Sequence, residues 1–363
     1  MPLNHEKSKL VIRPYKPEDK SKLLEIYELN WGKIQASKEG QVWDWKYHLH
    51  PYIKDSPFSP IVAELDQQPI GFLGSFPIKL KIGKQLWDGH WVSDFMVHPK
   101  HRGIAGIVLS KTFIETDGTI LGQVGDHDDA VSYQLWCKLA KQNILVTRMP
   151  HLVKRLNIQG MLMDRTGLAG LSKLADRFWW FFLDLPQKVL SYRTEKNVRI
   201  VTIQQFTEAE SGLLETLMAE ADNIPLRDKA YLNWRYFQRP NTEYKVMVAY
   251  EGGVPKGFVV SRCADVHGKL NGRIVDLMAI KANPMVLRTL LREAVDDLRA
   301  SGARIVEMYG SHREDVMRVL SRQGFRLTKT GAQWHPILGK SPSPNFYEGP
   351  WHISLSDGDC DRG

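Results

Sequence analysis

Cysteine is scarce in this chain, and so is any long apolar run. The 363 residues include three cysteines, Cys137, Cys263 and Cys360. They lie far apart and have no metal-ligand spacing, so neither a disulfide framework nor a zinc site is expected. No apolar stretch approaches the roughly 20 residues that cross a bilayer. Met1 to Pro17 is polar and charged and lacks the apolar centre of a signal peptide. Lys and Arg, 49 against 41 Asp and Glu, are scattered rather than blocked, which argues against a nucleic-acid partner. These absences leave a cytoplasmic globular protein as the expectation, with length enough for two medium domains. The net charge of +8 favours an anionic partner, whether nucleic acid, acidic lipid or a polyphosphorylated cofactor. Charge alone does not choose among them.

What the chain does have is a repeat. Trp45-Lys46-Tyr47 with Pro51 recurs as Trp234-Arg235-Tyr236 with Pro240 at the same internal spacing. Val62-Ala63, Pro69 and Gly71-Phe72 recur as Val248-Ala249, Pro255 and Gly257-Phe258. Asp94-Phe95-Met96-Val97 is echoed by Asp276-Leu277-Met278-Ala279. Self-similarity on this scale implies two copies of one domain fold.

Each copy reads in the same order. In the first, a strand over 9–15 precedes a helix over Glu18–Asn30. A hairpin of 61–65 and 70–74 closes around Asp66-Gln67-Gln68-Pro69. A strand over Trp91–Val97, a helix from Ile104 to Thr116, a strand over Ile120–Val124 and a helix from Asp129 to Lys141 follow. In the second, a strand at 198–201, a helix at 208–222, a hairpin over 244–260 and a strand at 273–280 come first. Helices at 284–301 and 314–323 then flank a strand at 304–309. The fold class is therefore mixed α/β, with helices on the faces of a mixed sheet. Residues 1–154 form the first domain, 155–197 a linker, 198–339 the second domain and 340–363 a tail in which Trp351–Leu355 adds a late strand. The linker carries the aromatic run Phe178-Trp179-Trp180-Phe181-Phe182-Leu183. Two readings fit that run: a peripheral membrane contact, or a helix buried between domains.

The chemistry concentrates in Val97-His98-Pro99-Lys100-His101-Arg102-Gly103-Ile104-Ala105-Gly106-Ile107, which follows a strand and opens a helix. Unpaired N–H groups and the helix dipole favour an anion there. Small residues at 103, 105 and 106 let a phosphate reach the backbone. The loop lacks the Gly-Lys-Ser/Thr of a Walker sequence and the glycine spacing of a dinucleotide fingerprint. The matching place in the second copy, Ile280-Lys281-Ala282-Asn283-Pro284, has no glycine, and Pro284 removes an N–H.

The first-copy loop resembles that of the GNAT acyltransferase superfamily, whose Arg/Gln-x-x-Gly/Ala-x-Gly/Ala string binds the pyrophosphate of acetyl-CoA. Here the string is Arg102-Gly103-Ile104-Ala105-Gly106-Ile107, with Ile107 where a small residue is usual. The resemblance implies two tandem GNAT-like domains with one cofactor site, in the first. It gives Asp94 the position of a general base, for which a structural acid is the competing reading. It places the oxyanion contact at the backbone of Met96 or Val97, and Asp129 and Ser132 against the pantetheine arm. Trp136 replaces the tyrosine that often protonates the thiolate, so Tyr133, on the same helix face, is the candidate acid, with solvent as the alternative. Asp126 and His127 are candidate acceptor contacts. The Trp-Lys/Arg-Tyr string reads as a structural wedge, with Trp45 also weighed as part of an acceptor pocket. No metal is expected at 125–129, where the ligand spacing is poor.

The implied activity is transfer of an acetyl group from acetyl-CoA, as co-substrate, to a primary amine such as an amino sugar or small amine. Amine attack would take place directly in a ternary complex. Two alternatives stand beside it. One is an acyltransferase taking a long-chain donor from acyl-carrier protein or acyl-CoA at a membrane surface. The other is a non-catalytic tandem GNAT-fold binding module.

Overall fold

Apolar alternation through residues 61–97 builds the spine of the first sheet, a long meander whose two faces are buried under different helices. A computed structural model of the chain describes residues 9–56, 59–115, 120–125, 135, 138–139, 147–148, 150–156, 197–266, 268–281, 283–311, 313–328, 333–338, 350–358 and 361. The chain divides into two units. Unit 1 comprises 1–147, 238–242 and 333–348; unit 2 comprises 148–237, 243–332 and 349–363.

Unit 1 begins with β1 (Leu10–Pro14), α1 (Lys20–Trp31) and α2 (Lys33–Tyr47). Then come β2 (Ile61–Leu65), β3 (Gln68–Ile82), β4 (Gln85–Val97), α3 (Ile104–Ile114), β5 (Ile120–Gly125) and β6 (Thr147–Arg148). The β2–β3 turn has Asp66 and Gln67 at φ 49° and 61°, the left-handed pair that matches the twist of a tight hairpin. Successive residues face opposite ways, as a strand period of two requires. Ala63, Leu73 and Val97 pack with Ala105, Leu109 and Phe113 of α3 on one face. Val62, Phe72 and Met96 pack with Leu23 and Ile26 of α1 and Trp43 and Tyr47 of α2 on the other.

Unit 2 contains β7 (His151–Arg155), β8 (Val198–Ile203), α4 (Glu208–Glu220), β9 (Asn223–Pro225) and α5 (Lys229–Phe237). It continues with β10 (Lys245–Glu251), β11 (Val254–Val266), β12 (Lys269–Ala279), α6 (Pro284–Ala300), β13 (Ile305–Ser311), α7 (Glu314–Arg322) and β14 (Arg326–Leu327). β15 (Gln333–Leu338) and β16 (Ile353–Ser354) complete the chain. Its core lies where Val286, Leu290, Leu291 and Ala294 of α6 meet Val259, Ile274 and Leu277 of the sheet.

The two sheets have the same plan. In unit 1 the order is β1-β2-β3-β4-β5-β15-β6, and in unit 2 it is β8-β10-β11-β12-β13-β7-β14. The sixth place in each is filled from elsewhere in the chain: β15 runs antiparallel to β5, and β7 antiparallel to β13. The contiguous boundaries expected at 154 and 339 therefore cut across an exchange, because His151–Arg155 belongs to the second sheet and Gln333–Leu338 to the first. Patterning records that a strand is buried, not which of two like sheets it joins. α2 also went unread from the sequence, since the residues it buries include Glu39 and Lys46, and its apolar residues form no regular stripe.

One irregularity positions the site. Between Leu73 and Ser75 on β3, β4 advances from Phe95 to Val92, so β4 carries one extra residue beside Ser93 and Asp94. Such a bulge bends its strand and disrupts pairing. β4 pairs in parallel with β5 at His90↔Leu121 and Trp91↔Gly122 and not beyond the bulge. Unit 2 repeats this. β12 shifts register beside Val275, pairing Val260 with Asp276 and Ser261 with Ile274, and its parallel pairing with β13 ends at Ile274↔Met308.

Candidate active site

Beyond the bulge, the last residues of β4 present one backbone edge to a gap between diverging strands. The His98 N–H donates to Ile70 O at 2.7 Å, so alternation turns the Met96 N–H toward β3 and the Val97 N–H and C=O away from it. The Val97 carbonyl on that edge accepts from Asn30 Nδ2 at 3.2 Å. Of the two residues expected to offer an oxyanion contact, Val97 thus has its N–H on the open side, while that of Met96 belongs to the β3–β4 ladder.

The loop after β4 leads directly into α3. His98 caps a single turn at Pro99–His101 by accepting from the Lys100 N–H at 3.2 Å. Gly103 then sits at φ 98°, ψ −99°, a conformation open essentially to glycine alone, and serves as the N-cap of α3. It contributes no capping side chain, and no acidic residue lies in the first turn. The helix N-terminus therefore keeps its partial positive charge, with Lys100, His101 and Arg102 beside it. Burial, with the neighbouring His101 and Lys100, pushes the His98 imidazole below its ordinary range. The Arg102 guanidinium donates to Asn30 Oδ1 at 2.7 Å, which ties the loop to the end of α1.

The string residues divide into two groups. Ala105 and Gly106 are buried, and Ala105 lies in the core against the sheet. Ile104 and Ile107 are exposed. The Ile107 N–H donates to Gly103 O at 3.0 Å and so belongs to the helix ladder, which leaves the amides before it to meet an anion.

Asp94 is buried beside the bulge. Its Oδ2 accepts from Tyr47 Oη at 2.6 Å, Ser93 Oγ at 3.0 Å and Lys46 Nζ at 3.1 Å. Lys46 also donates to Glu39 Oε1 at 2.6 Å. Burial, reinforced by the negative charges of Asp94 and Glu39, pushes the Tyr47 phenol well above its ordinary value, so it remains a donor. Trp45 is 2% exposed, with the Arg239 guanidinium 5.3 Å from its ring centre. Its burial agrees with the structural wedge that the repeat suggests. Asp126, His127, Asp129, Ser132 and Tyr133, with most of 126–146, lie outside the described residues, as does the 178–183 run. Among the described residues no cluster of His, Cys, Asp or Glu has metal-binding geometry, and no helix is long and apolar enough to cross a membrane.

No family model matches the sequence, and no curated protein matches it. Solved structures do match. A GCN5-related N-acetyltransferase from Anabaena variabilis superposes with a TM-score of 0.59 over 92% of this chain and 73% of its own, at 13% identity. The N-myristoyltransferase of Saccharomyces cerevisiae, with bound myristoyl-CoA, superposes with a TM-score of 0.55 over 95% of this chain and 85% of its own, at 11% identity. The fold is that of the GNAT superfamily. A probable N-acyltransferase from Enterococcus faecalis superposes with a TM-score of 0.59 over 91% of this chain and 73% of its own, at 8% identity.

Within this GNAT architecture unit 2 treats the corresponding places differently. The N-terminus of α6 is capped by its own Asn283, whose Oδ1 accepts from the Val286 N–H at 3.2 Å, and Pro284 occupies the first turn. Asn283 Nδ2 donates to Glu251, and the Lys281 N–H donates to Glu220 Oε2, both at 2.8 Å. Protein groups thus satisfy the donors that an anion would need, and carboxylates stand beside them. The gap between β12 and β13 is also taken. β16 pairs with β13 at Gly310↔Ser354 and Ser311↔Ile353, while His352 Nε2 lies 3.5 Å from Asp276 on β12. The late strand, expected over 351–355, spans Ile353–Ser354 and occupies that gap. Its anchors are buried ion pairs: Arg227 with Asp276 at 2.9 Å and with Asp357 at 2.6 Å, and Arg262 with Asp361 at 2.6 Å.

Proposed function

We propose that the protein is an N-acyltransferase whose donor site lies in unit 1, and that the donor is acetyl-CoA and the acceptor a primary amine. The observation that carries the reading is the conjunction of an α3 N-terminus without a capping side chain at Gly103 with the edge of β4 on which the Val97 N–H faces away from β3. The first suits a pyrophosphate. The second suits an extended amide-bearing arm, which adds to an open strand edge as a further strand would. Arg102 and Lys100 supply the flanking charge. Val97, the last residue of β4, has an N–H aimed into the gap, where it suits the oxyanion of a tetrahedral intermediate. The amine would attack the thioester carbonyl to give a C–N bonded tetrahedral intermediate, whose collapse would break the C–S bond, with the nitrogen losing a proton and the thiolate taking one up.

A longer-chain donor is the second reading, favoured by the likeness to an N-myristoyltransferase holding myristoyl-CoA. Acetyl-CoA and myristoyl-CoA titrated in parallel, with thermal unfolding as the readout, test both. Acetyl-CoA should raise the melting temperature, by about 2.7 kcal/mol of stabilisation at a hundredfold excess over Kd. Arg102→Glu should abolish that shift. Stabilisation by myristoyl-CoA alone transfers the proposal to long-chain donors. No shift with either at millimolar ligand overturns it.

A further inference from the structure

Asp94 occupies the position of a base, yet its surroundings describe a different task. We propose that Tyr47 and Asp94 form a clamp on the β4 bulge that holds the donor cleft open, and that Asp94 acts as a positioning residue and not as the proton acceptor. The inference rests on the acyl-donor reading of unit 1.

The repeat carries the argument. In unit 2, Asp276 Oδ2 accepts from Tyr236 Oη at 3.0 Å, the same pair of repeat positions as Tyr47 and Asp94. Asp276 likewise adjoins a bulge, at Val275, where its strand parts from the neighbouring parallel strand. Unit 2 has no glycine loop, its helix N-terminus is capped by Asn283, and its cleft holds β16. A Tyr–Asp contact kept where no donor can lie serves what the units share, the bulge and the divergence beyond it.

The local geometry agrees. A base must offer a lone pair to an incoming ammonium. Asp94 is 3% exposed, and three protein donors converge on its Oδ2. One of those donors, Lys46, is itself held between Glu39 and Asp94, so the carboxylate belongs to a network of buried protein groups. The contact also has room made for it: a Cβ at Gly74, opposite the bulge on β3, would lie 2.1 Å from Tyr47 Oη. The clamp thereby joins α2 to the extra residue of β4, immediately before the edge on which Val97 presents its N–H.

The test compares Tyr47→Phe and Asp94→Asn in the full chain, with Tyr236→Phe as the unit 2 control. Loss of a buried hydrogen bond to a charged group should raise the acetyl-CoA Kd and KM about tenfold in both unit 1 variants. kcat should fall less than about threefold, and the shape of the pH–rate profile should not change. Amides 95–97 should exchange hydrogen faster in both variants, a readout that needs no turnover. Tyr236→Phe should lower the melting temperature and leave Kd unaltered. If Asp94→Asn removes a limb of the pH profile and most of kcat while Tyr47→Phe behaves as wild type, Asp94 is the base and the clamp is refuted. Unchanged exchange at 95–97 in both variants refutes it as well. A wild-type chain that binds no acyl-CoA defeats the donor reading instead, with the exchange measurement still deciding whether the clamp sets the edge.

Discussion

Replacing Gly103 by Ala adds one methyl group to open space and still should cost the protein its donor affinity. No heavy atom lies within 4 Å of the Cβ that would be added, so packing contributes nothing to the penalty. The penalty lies in the backbone: φ 98° with ψ −99° is disfavoured for any residue with a Cβ, at about 1–3 kcal/mol. The chain can respond in two ways. If the loop keeps its shape, the strain appears as lost stability, roughly 2–4 °C of melting temperature per kcal/mol for a unit of this size. If the loop relaxes, the amides at the start of α3 turn away from the anion. Losing one charge-assisted hydrogen bond of about 1.5–3 kcal/mol then weakens acetyl-CoA binding by about 10- to 100-fold. Calorimetric titration and thermal unfolding, run on the same samples, separate the two. Gly83→Ala is the control: Gly83 also has positive φ and open surroundings, but lies in the β3–β4 turn, away from the loop. It should lose stability and keep its affinity. A Gly103→Ala protein that binds acetyl-CoA within about twofold of wild type would show that the α3 N-terminus does not hold the donor.

Further outcomes follow from buried charge. Burial pushes the His90 imidazole down to about 3, against about 6.5 in an unfolded chain. The unfolded state therefore takes up a proton that the folded state refuses. The stability concerned is complete above pH 6.5 and declines as pH falls toward 3. Urea unfolding at pH 7 and pH 5 should show that slope reduced in His90→Gln, and equal slopes would contradict the assignment. At the other end of the chain, Asp361→Asn strips Arg262 of its buried partner and should cost unit 2 about 3–5 kcal/mol in urea unfolding. A loss below about 1 kcal/mol would show that the tail is not an anchor.

How much of this was legible in the sequence depends on the kind of signal each element leaves. Strands with strict alternation, such as Ile61–Leu65, and helices with a clear apolar stripe, such as Pro284–Ala300, announce themselves by period. The loop before α3 announces itself by composition, because Gly103 and its basic neighbours adjoin in the chain. The pairing of Lys46 with both Glu39 and Asp94 does not, since it joins residues far apart in sequence and buries charge, which patterning counts as surface. For that reason composition alone left Asp94 between a base and a structural acid, and Trp45 between a wedge and a pocket wall, whereas the structure shows three donors on Asp94 and a buried Trp45. The tail shows the same limit. Its Pro, Ser, Gly and Asp content suggested a polar extension with one late strand, but Ser354, Asp357 and Asp361 are fully buried and meet arginines from distant elements.

The reciprocal placement of β7 and β15 bears on how the polypeptide reaches its native state. During synthesis β7 emerges before every other strand of the sheet it will join, and the first sheet must wait for β15, which is made after β8 to β14 of the second. Neither half can finish while the ribosome holds the rest. Pairings between segments so distant in sequence are slow to form and leave strand edges exposed meanwhile. A gene cut at the boundary between the repeats would therefore yield two pieces, each missing one strand and carrying one that belongs to the other.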